Sequence, residues 1–256
     1  MRREDRLGQI LRELNNSESV GVSDLAARLG VSEASVRRDL RLLEQQKLLT
    51  RTHGGAVASG VLYELPMRYR GGQQHAAKQA IAAEAVRLIP ATVSSVGLNG
   101  GTTTTEVARS LAGRSNLRVV TNALNIAAEL AVRANIELVV CGGSARAESY
   151  ELVGPLAELT LANINLDLAV IGVDGISLTA GLTTHHEVEA STNRALLAAA
   201  ESVMVVADSS KLGRRGFAKI CDLSRVSSLV TDSGAGPADV EELRRQGVTV
   251  HVVDVP

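Results

Sequence analysis

Apolar residues recur along the first 58 positions with the spacing of short helices. Leu7, Ile10, Leu11 and Leu14 mark one amphipathic helix. Ser23 is placed to cap a second, shorter helix that carries Leu25 and Leu29 and ends at Gly30. Ser32 opens a third, running to about Gln46. On it Val36, Leu40 and Leu43 form an apolar stripe, while Ala34, Arg37, Arg38 and Arg41 share the opposite face. The period then changes. Lys47 to Arg51 reads as a strand, His53-Gly54-Gly55 as a hairpin tip, and Ala56-Val57 as the returning strand. Three helices and a hairpin predict a winged helix-turn-helix, with the helix-turn-helix at about 20–39. A third helix of this kind fits the major groove of DNA, its back held by a small core. A helical interaction module would need neither the outward arginines nor a basic hairpin tipped by glycine.

Residues 59–75 lack either period and hold Gly60, Pro66, Gly71 and Gly72, the texture of a linker, with Leu62 to Tyr69 expected to dock on a neighbour. From residue 76 to 256 helical stretches alternate with apolar, β-branched runs. Helices are predicted over Ala76–Ile89, Thr103–Leu111, Ala123–Arg133, Pro155–Asn163, Glu187–Ala200 and Pro237–Gln246. Strands are predicted over Val93–Leu98, Leu117–Thr121, Ile136–Val140, Asp167–Val173, Ser202–Ala207, Ser228–Thr231 and Val248–Val253. Continuous apolar strands separated by helices predict a mostly parallel sheet covered on both faces, an α/β/α body behind the winged head.

Composition narrows the class. Of 256 residues 45% are hydrophobic but only 2% aromatic, so the core is aliphatic. Residues 1–58 hold ten Lys and Arg against eight Asp and Glu, or +2, and the remainder 17 against 20, or −3. That local basic excess suits a docking surface rather than a nucleic-acid coat. Cys141 and Cys221 lie far apart and argue against a disulfide framework, which with the absence of a signal peptide or apolar span points to the cytoplasm.

In a parallel sheet the loops after the strands carry the ligand chemistry. The run Asn99-Gly100-Gly101-Thr102-Thr103-Thr104-Thr105 has the composition of a phosphate cradle: glycines admit an anion, hydroxyls donate, and a helix start faces the same point. It lacks the lysine of a nucleotide P-loop and the GxGxxG spacing. Thr103-x-x-Glu106 also spells a capping box, so part of the run serves to start the helix. Thr121-Asn122, Gly142-Gly143, Gly172-Val-Asp174-Gly175 and Asp208-Ser-Ser-Lys211-Leu-Gly213 follow other strands. Singly these are ordinary turns, except that Lys211 amid small polar residues suits an anion, with Asp208 placed to hold it.

These strings resemble those of the DeoR-type transcriptional regulators. At the N-terminus they are Arg6-x-x-x-Ile10-x-x-x-Leu14, Ser32-Glu-Ala-Ser-Val-Arg-Arg-Asp-Leu40 and Arg51-Thr-His-Gly-Gly-Ala56. The strand-end strings then follow in order over nearly the whole chain. One departure is Ser35, where the family has Thr; losing the methyl softens contact with a thymine methyl. The resemblance implies that Glu33, Ala34, Ser35 and Arg37 face base edges, and that Arg38, Arg41, Arg51 and His53 meet phosphates. It implies a C-terminal sensor similar to phosphosugar isomerases and CoA transferases that binds a phosphorylated sugar. Asn99, Gly100, Gly101, Thr102, Thr103, Thr104 and Lys211 would then hold the phosphate. Asn122, Asp174 and Glu187 would face sugar hydroxyls, with Gly142 and Gly143 beside them.

The isomerase kinship raises an enzymatic alternative, with Glu187 or Glu189 as base and Lys211 as electrophile. Both glutamates fall at a helix start, where acidic residues are favoured by the dipole alone. His185, His186, Glu187 and Glu189 also hold metal-ligand types, but adjacent histidines diverge by about 100° on a helix and no cysteine is near. The expectation is therefore a DNA-binding regulator with no cofactor, no metal and no catalysis. It acts as a homo-oligomer, dimer or tetramer, and a phosphorylated sugar relieves its repression of sugar-metabolism genes.

Overall fold

The computed structural model describes residues 3–17, 19–58, 66–70 and 74–255. The chain divides into two compact units, Met1–Gln73 and Gln74–Pro256.

The first unit runs α1 (Arg3–Asn16), β1 (Ser19–Gly21), α2 (Val22–Leu29), α3 (Glu33–Gln45), β2 (Leu49–Arg51) and β3 (Gly55–Ala58). The expected apolar stripes meet in one core of Leu7, Ile10, Leu11, Leu14, Leu25, Val36, Leu40 and Leu43. Ser32 caps α3, its Oγ accepting from the Ser35 amide at 3.3 Å. Ser23 does not cap α2: that helix begins two residues earlier than a Ser23 cap would start it, at Val22 after Gly21 and without a side-chain cap. Ser23 sits in the first turn instead and donates to Glu33 Oε1 at 2.7 Å. The cause is tertiary. Ser19–Gly21 pairs antiparallel with β3, giving a sheet ordered β1-β3-β2, and the helix starts where that strand ends. β2 begins at Leu49 rather than Lys47, whose φ of 59° leaves the extended region.

Of the expected docking stretch, residues 62–65 lie outside the described residues. Tyr69, in the short 3-10 turn Met67–Tyr69, is buried in the same core as α1 and α3, and its hydroxyl donates to Gln46 Oε1. The N-terminal unit thus continues beyond the wing, past the expected edge at 58, because a buried ring with a satisfied hydroxyl holds the returning chain.

In the second unit α4 (His75–Leu88) precedes β4 (Ser95–Leu98), α5 (Thr102–Leu111), β5 (Leu117–Thr121), α6 (Leu124–Leu130) and β6 (Ile136–Val140). A hairpin of β7 (Ser144–Ala145) and β8 (Leu152–Val153) leads to α7 (Pro155–Leu161) and β9 (Leu166–Ile171). Then come β10 (Gly175–Ser177), β11 (Gly181–Thr184), α8 (Glu187–Ala198), β12 (Ala200–Val206) and β13 (Ala218–Cys221). β14 (Ser228–Asp232), α9 (Pro237–Arg245) and β15 (Thr249–Val253) complete it.

The seven apolar runs read from the sequence form, among the described residues, one sheet ordered β15-β14-β12-β9-β4-β5-β6, parallel at every pair. Side chains alternate across it. Leu168, Val170, Met204 and Val206 pack with residues of α4, α5 and α6, while Ala169, Ile171, Val203 and Val205 pack with those of α7, α8 and α9. The antiparallel elements were not anticipated: the β7–β8 hairpin and the sheet β10-β11-β13 use strands of two to four residues, too short to show a period.

From β4 the chain steps to β5 and β6 on one side, and from β9 to β12, β14 and β15 on the other. The strand order therefore reverses between β4 and β9, and the loops beyond their carboxyl ends form the switch-point crevice at which open α/β sheets bind ligands.

Candidate functional site

The outer face of α3 carries Glu33, Ala34, Arg37, Arg38 and Arg41 exposed and Ser35 half-buried. Its polar groups are pre-arranged. Arg37 Nη2 donates to Glu33 Oε2 at 3.0 Å, and Arg38 Nη2 to Ser35 Oγ at 3.2 Å. His53 is exposed at the tip of the wing, whereas Arg51 is half-buried. The Arg51 amide donates to Glu44 Oε1 at 3.1 Å and its guanidinium lies 3.6 Å from Glu44 Oε2. Behind this face Asp39 is 1% exposed. It accepts from Arg6 at 2.6 and 3.2 Å and from Arg3 at 3.4 Å, and the Asp39 hydrogen bond holds the Arg6 guanidinium above its ordinary pKa. A part-buried pair between α1 and α3 therefore fixes the helix whose outer face is basic.

In the second unit a ring of polar contacts surrounds the switch-point crevice. Asn99, buried at the end of β4, donates through Nδ2 to the Gly172 carbonyl and accepts the Gly172 amide at Oδ1, both at 2.9 Å. These bonds tie the loop after β4 to the loop after β9. The Gly100 amide donates to Glu151 Oε1 at 2.7 Å. Only glycine allows that approach, because a Cβ there would lie 2.4 Å from Glu151 Cγ. Asp174 Oδ2 accepts from the Thr184 hydroxyl at 2.9 Å, and the same hydroxyl lies 3.2 Å from Glu189 Oε2. Glu189 Oε1 accepts from Arg146 Nε at 2.7 Å. Arg146 then bonds Glu151 through the backbone, amide to carbonyl at 2.8 Å, closing the ring.

The expected cradle is only partly as read. α5 starts at Thr102 with Gly101 at its N-cap, so Thr103 is not a capping residue, and Glu106 pairs with Arg109 at 2.7 Å. The Thr104 and Thr105 hydroxyls donate back to the Gly101 carbonyl at 3.1 and 2.6 Å, which turns Thr104 away from ligand duty. What the cradle offers is the first-turn amides of α5, unpaired within a helix, together with Thr102 and Thr103.

Lys211 lies 3.9 Å from Asp174 Oδ1, across the crevice loop, rather than on Asp208. Asp208 caps the 3-10 turn Ser209–Lys211, accepting from the Ser210 amide at 3.1 Å. The turn geometry claims that carboxylate before a lysine can. Asn122 is buried, with Nδ2 donating to the Leu152 carbonyl at 3.1 Å and Oδ1 unpartnered. Gly142 and Gly143 open the β7–β8 hairpin that delivers Arg146 and Glu151. Glu187 is exposed at the start of α8, while Glu189, two residues on, is buried in the ring. Among the described residues no three His, Cys, Asp or Glu side chains converge as metal ligands.

Arg146, Glu151 and Thr184 carry no motif in the sequence. The fold brings them together, and a charge on a short hairpin is the one signal that marks Arg146 and Glu151.

Residues 6–59 match the DeoR-like helix-turn-helix domain, and residues 73–233 match the DeoR C terminal sensor domain. A putative aga operon transcriptional repressor of Escherichia coli O157:H7 is 36% identical over 97% of this chain and 93% of its own length. The HTH-type transcriptional regulator GlpR of Haloferax volcanii is 37% identical over 96% of both chains. The glycerol-3-phosphate regulon repressor of Escherichia coli K12 is 31% identical over 91% of this chain and 92% of its own. The first match covers the unit that carries α3, and the second covers most of the unit built on the seven-stranded sheet. The chain belongs to the DeoR family of transcriptional regulators and is a regulator rather than an enzyme.

Proposed function

We propose that the protein is a cytoplasmic repressor of sugar- or polyol-phosphate genes, released from its operator by a phosphorylated sugar bound in the switch-point crevice. The observation that carries this reading is the polar ring closed by Gly100, Glu151, Arg146, Glu189 and Asp174 around a helix start, in one chain with the basic face of α3. The relatives named for the aga operon and the glycerol-3-phosphate regulon support the ligand class. The phosphate would take the α5 amides beside Gly101, Thr102 and Thr103, with Lys211 as counter-charge. Asn122 and Asp174 would face hydroxyls.

On DNA, Glu33, Ala34, Ser35 and Arg37 would reach base edges, and Arg38, Arg41, Arg51 and His53 phosphates. A homo-oligomer would present two heads to half-sites about one helical turn or a multiple apart. Coupling is reciprocal, so a sugar phosphate that weakens operator binding about tenfold must itself bind the DNA-bound form about tenfold less tightly, near 1.4 kcal/mol. A thermal-shift panel of sugar phosphates, followed by operator-binding titrations with each hit, tests this. A ligand at 100 times its Kd adds about 2.7 kcal/mol of stability. A panel without a single shift would remove the effector.

A further inference from the structure

Two acceptors on the buried stripe of α8 are incompletely satisfied. Thr184 has one hydroxyl proton and two carboxylate oxygens within reach, Asp174 Oδ2 at 2.9 Å and Glu189 Oε2 at 3.2 Å. The nearer oxygen takes it. Glu189 is 3% exposed, and its other oxygen already holds Arg146 at 2.7 Å, so Oε2 has only the longer, shared contact with the Thr184 hydroxyl at 3.2 Å. One helical turn on, Asn193 is also 3% exposed, and its Oδ1 is buried with no partner. Positions i and i+4 share a helix face, and a helical side chain leans toward the N-terminal turn, so Asn193 reaches back toward Glu189. Between them Thr192 is already engaged, accepting the Gly154 amide at 3.2 Å.

Buried acceptors without donors are costly unless something fills them. We infer that Glu189 and Asn193 are the residues that select the effector, each accepting a hydrogen bond from a hydroxyl of a polyol chain. This rests on the effector reading above and adds to it the face that reads the sugar: the buried stripe of α8 rather than the exposed Glu187 at its start. The ligand class follows from the chemistry. A carboxylate oxygen that shares its one hydroxyl donor and an amide oxygen with none call for a ligand that donates, with at least two hydroxyls spaced to meet residues one turn apart. Bare phosphate or a phosphorylated carboxylate would bring neither oxygen a hydroxyl donor.

Isothermal titration of the full chain with ribose 5-phosphate, glucosamine 6-phosphate, glycerol 3-phosphate and inorganic phosphate tests the assignment. With whichever sugar phosphate the native chain binds, Glu189→Gln and Asn193→Leu should each weaken affinity about tenfold or more. Inorganic phosphate should change less than about twofold, so the preference for the sugar collapses. Variants that keep the native preference would overturn the assignment. So would equal weakening of the sugar phosphate and of phosphate, which marks a structural role. If Glu189→Gln does not fold, Asn193→Leu decides alone, since its Oδ1 has no bond to lose. No binding of any sugar phosphate by the native chain would instead fell the effector reading itself, and this assignment with it.

Discussion

Asp39 on α3 takes two hydrogen bonds from Arg6 on α1, at 2.6 and 3.2 Å, while remaining 1% exposed. The recognition helix is therefore held from behind by charge as well as by Val36, Leu40 and Leu43. Arg6→Ala would leave the buried carboxylate with only the longer Arg3 contact at 3.4 Å and should cost about 2–4 kcal/mol. Urea unfolding of the full chain, followed by a probe on the N-terminal unit, reads this directly. A loss under about 0.5 kcal/mol, the scale of an exposed pair, would reduce the bridge to a surface contact.

Arg37 and Arg38 should separate in binding assays. If Arg37 reads a base, Arg37→Ala costs about 1–3 kcal/mol on the operator and less on random DNA. Arg38→Ala should instead lower the log–log salt slope by about 0.9, the share of one phosphate. Equal loss of Arg37→Ala on both DNAs, or an unchanged slope for Arg38→Ala, would reverse the two roles.

Lys211→Ala removes the cation beside Asp174 and should abolish the response of operator occupancy to sugar phosphate. Fluorescence anisotropy of labelled operator across a sugar-phosphate titration measures it. A normal response would take Lys211 out of the sensor.

Asp167 sits at the start of β9 and accepts from the Ser94 amide, the Ser94 hydroxyl and the Ser95 amide at 2.7, 2.9 and 2.9 Å. These bonds favour the carboxylate and hold its pKa below the ordinary aspartate value. A lowered folded pKa means stability that is complete above the ordinary value and disappears as pH falls through the lowered one. Asp167→Asn should therefore cost about 1–2 kcal/mol at neutral pH and progressively less in acid. Thermal unfolding of both proteins from pH 7 to pH 3 compares them, and a gap that widens in acid would contradict the assignment.

Burial pushes the thiols of Cys141 and Cys221 up to about 11. At pH 8 about one thiol in a thousand is then ionised, so both should react slowly with a disulfide reagent until urea unfolds the chain. Rapid labelling of the folded protein would show that the thiols are less enclosed.

The first unit was largely legible from local pattern. Ser32 and the spacing of Val36, Leu40 and Leu43 define α3, because capping and helical periodicity are properties of a few consecutive residues. The seven sheet strands were legible for the same reason, as continuous apolar runs between helices. Asn99 and Gly100 could be singled out as a strand-end loop, though not for the reason that matters. Their bonds go to Gly172 and Glu151, which lie 73 and 51 residues away.

What the fold alone decided is partnership. Ser23 looked like a cap until Ser19–Gly21 paired with Gly55–Val57, and Lys211 looked like the partner of Asp208 until β10 and β11 brought Asp174 to it. Arg146 and Glu189 lie 43 residues apart, on the β7–β8 hairpin and on α8, and meet only in the fold. A sequence carries the period of each element, but strand order sets which loops become neighbours. Hydrogen bonds, acting over about 3 Å, answer to neighbours in space.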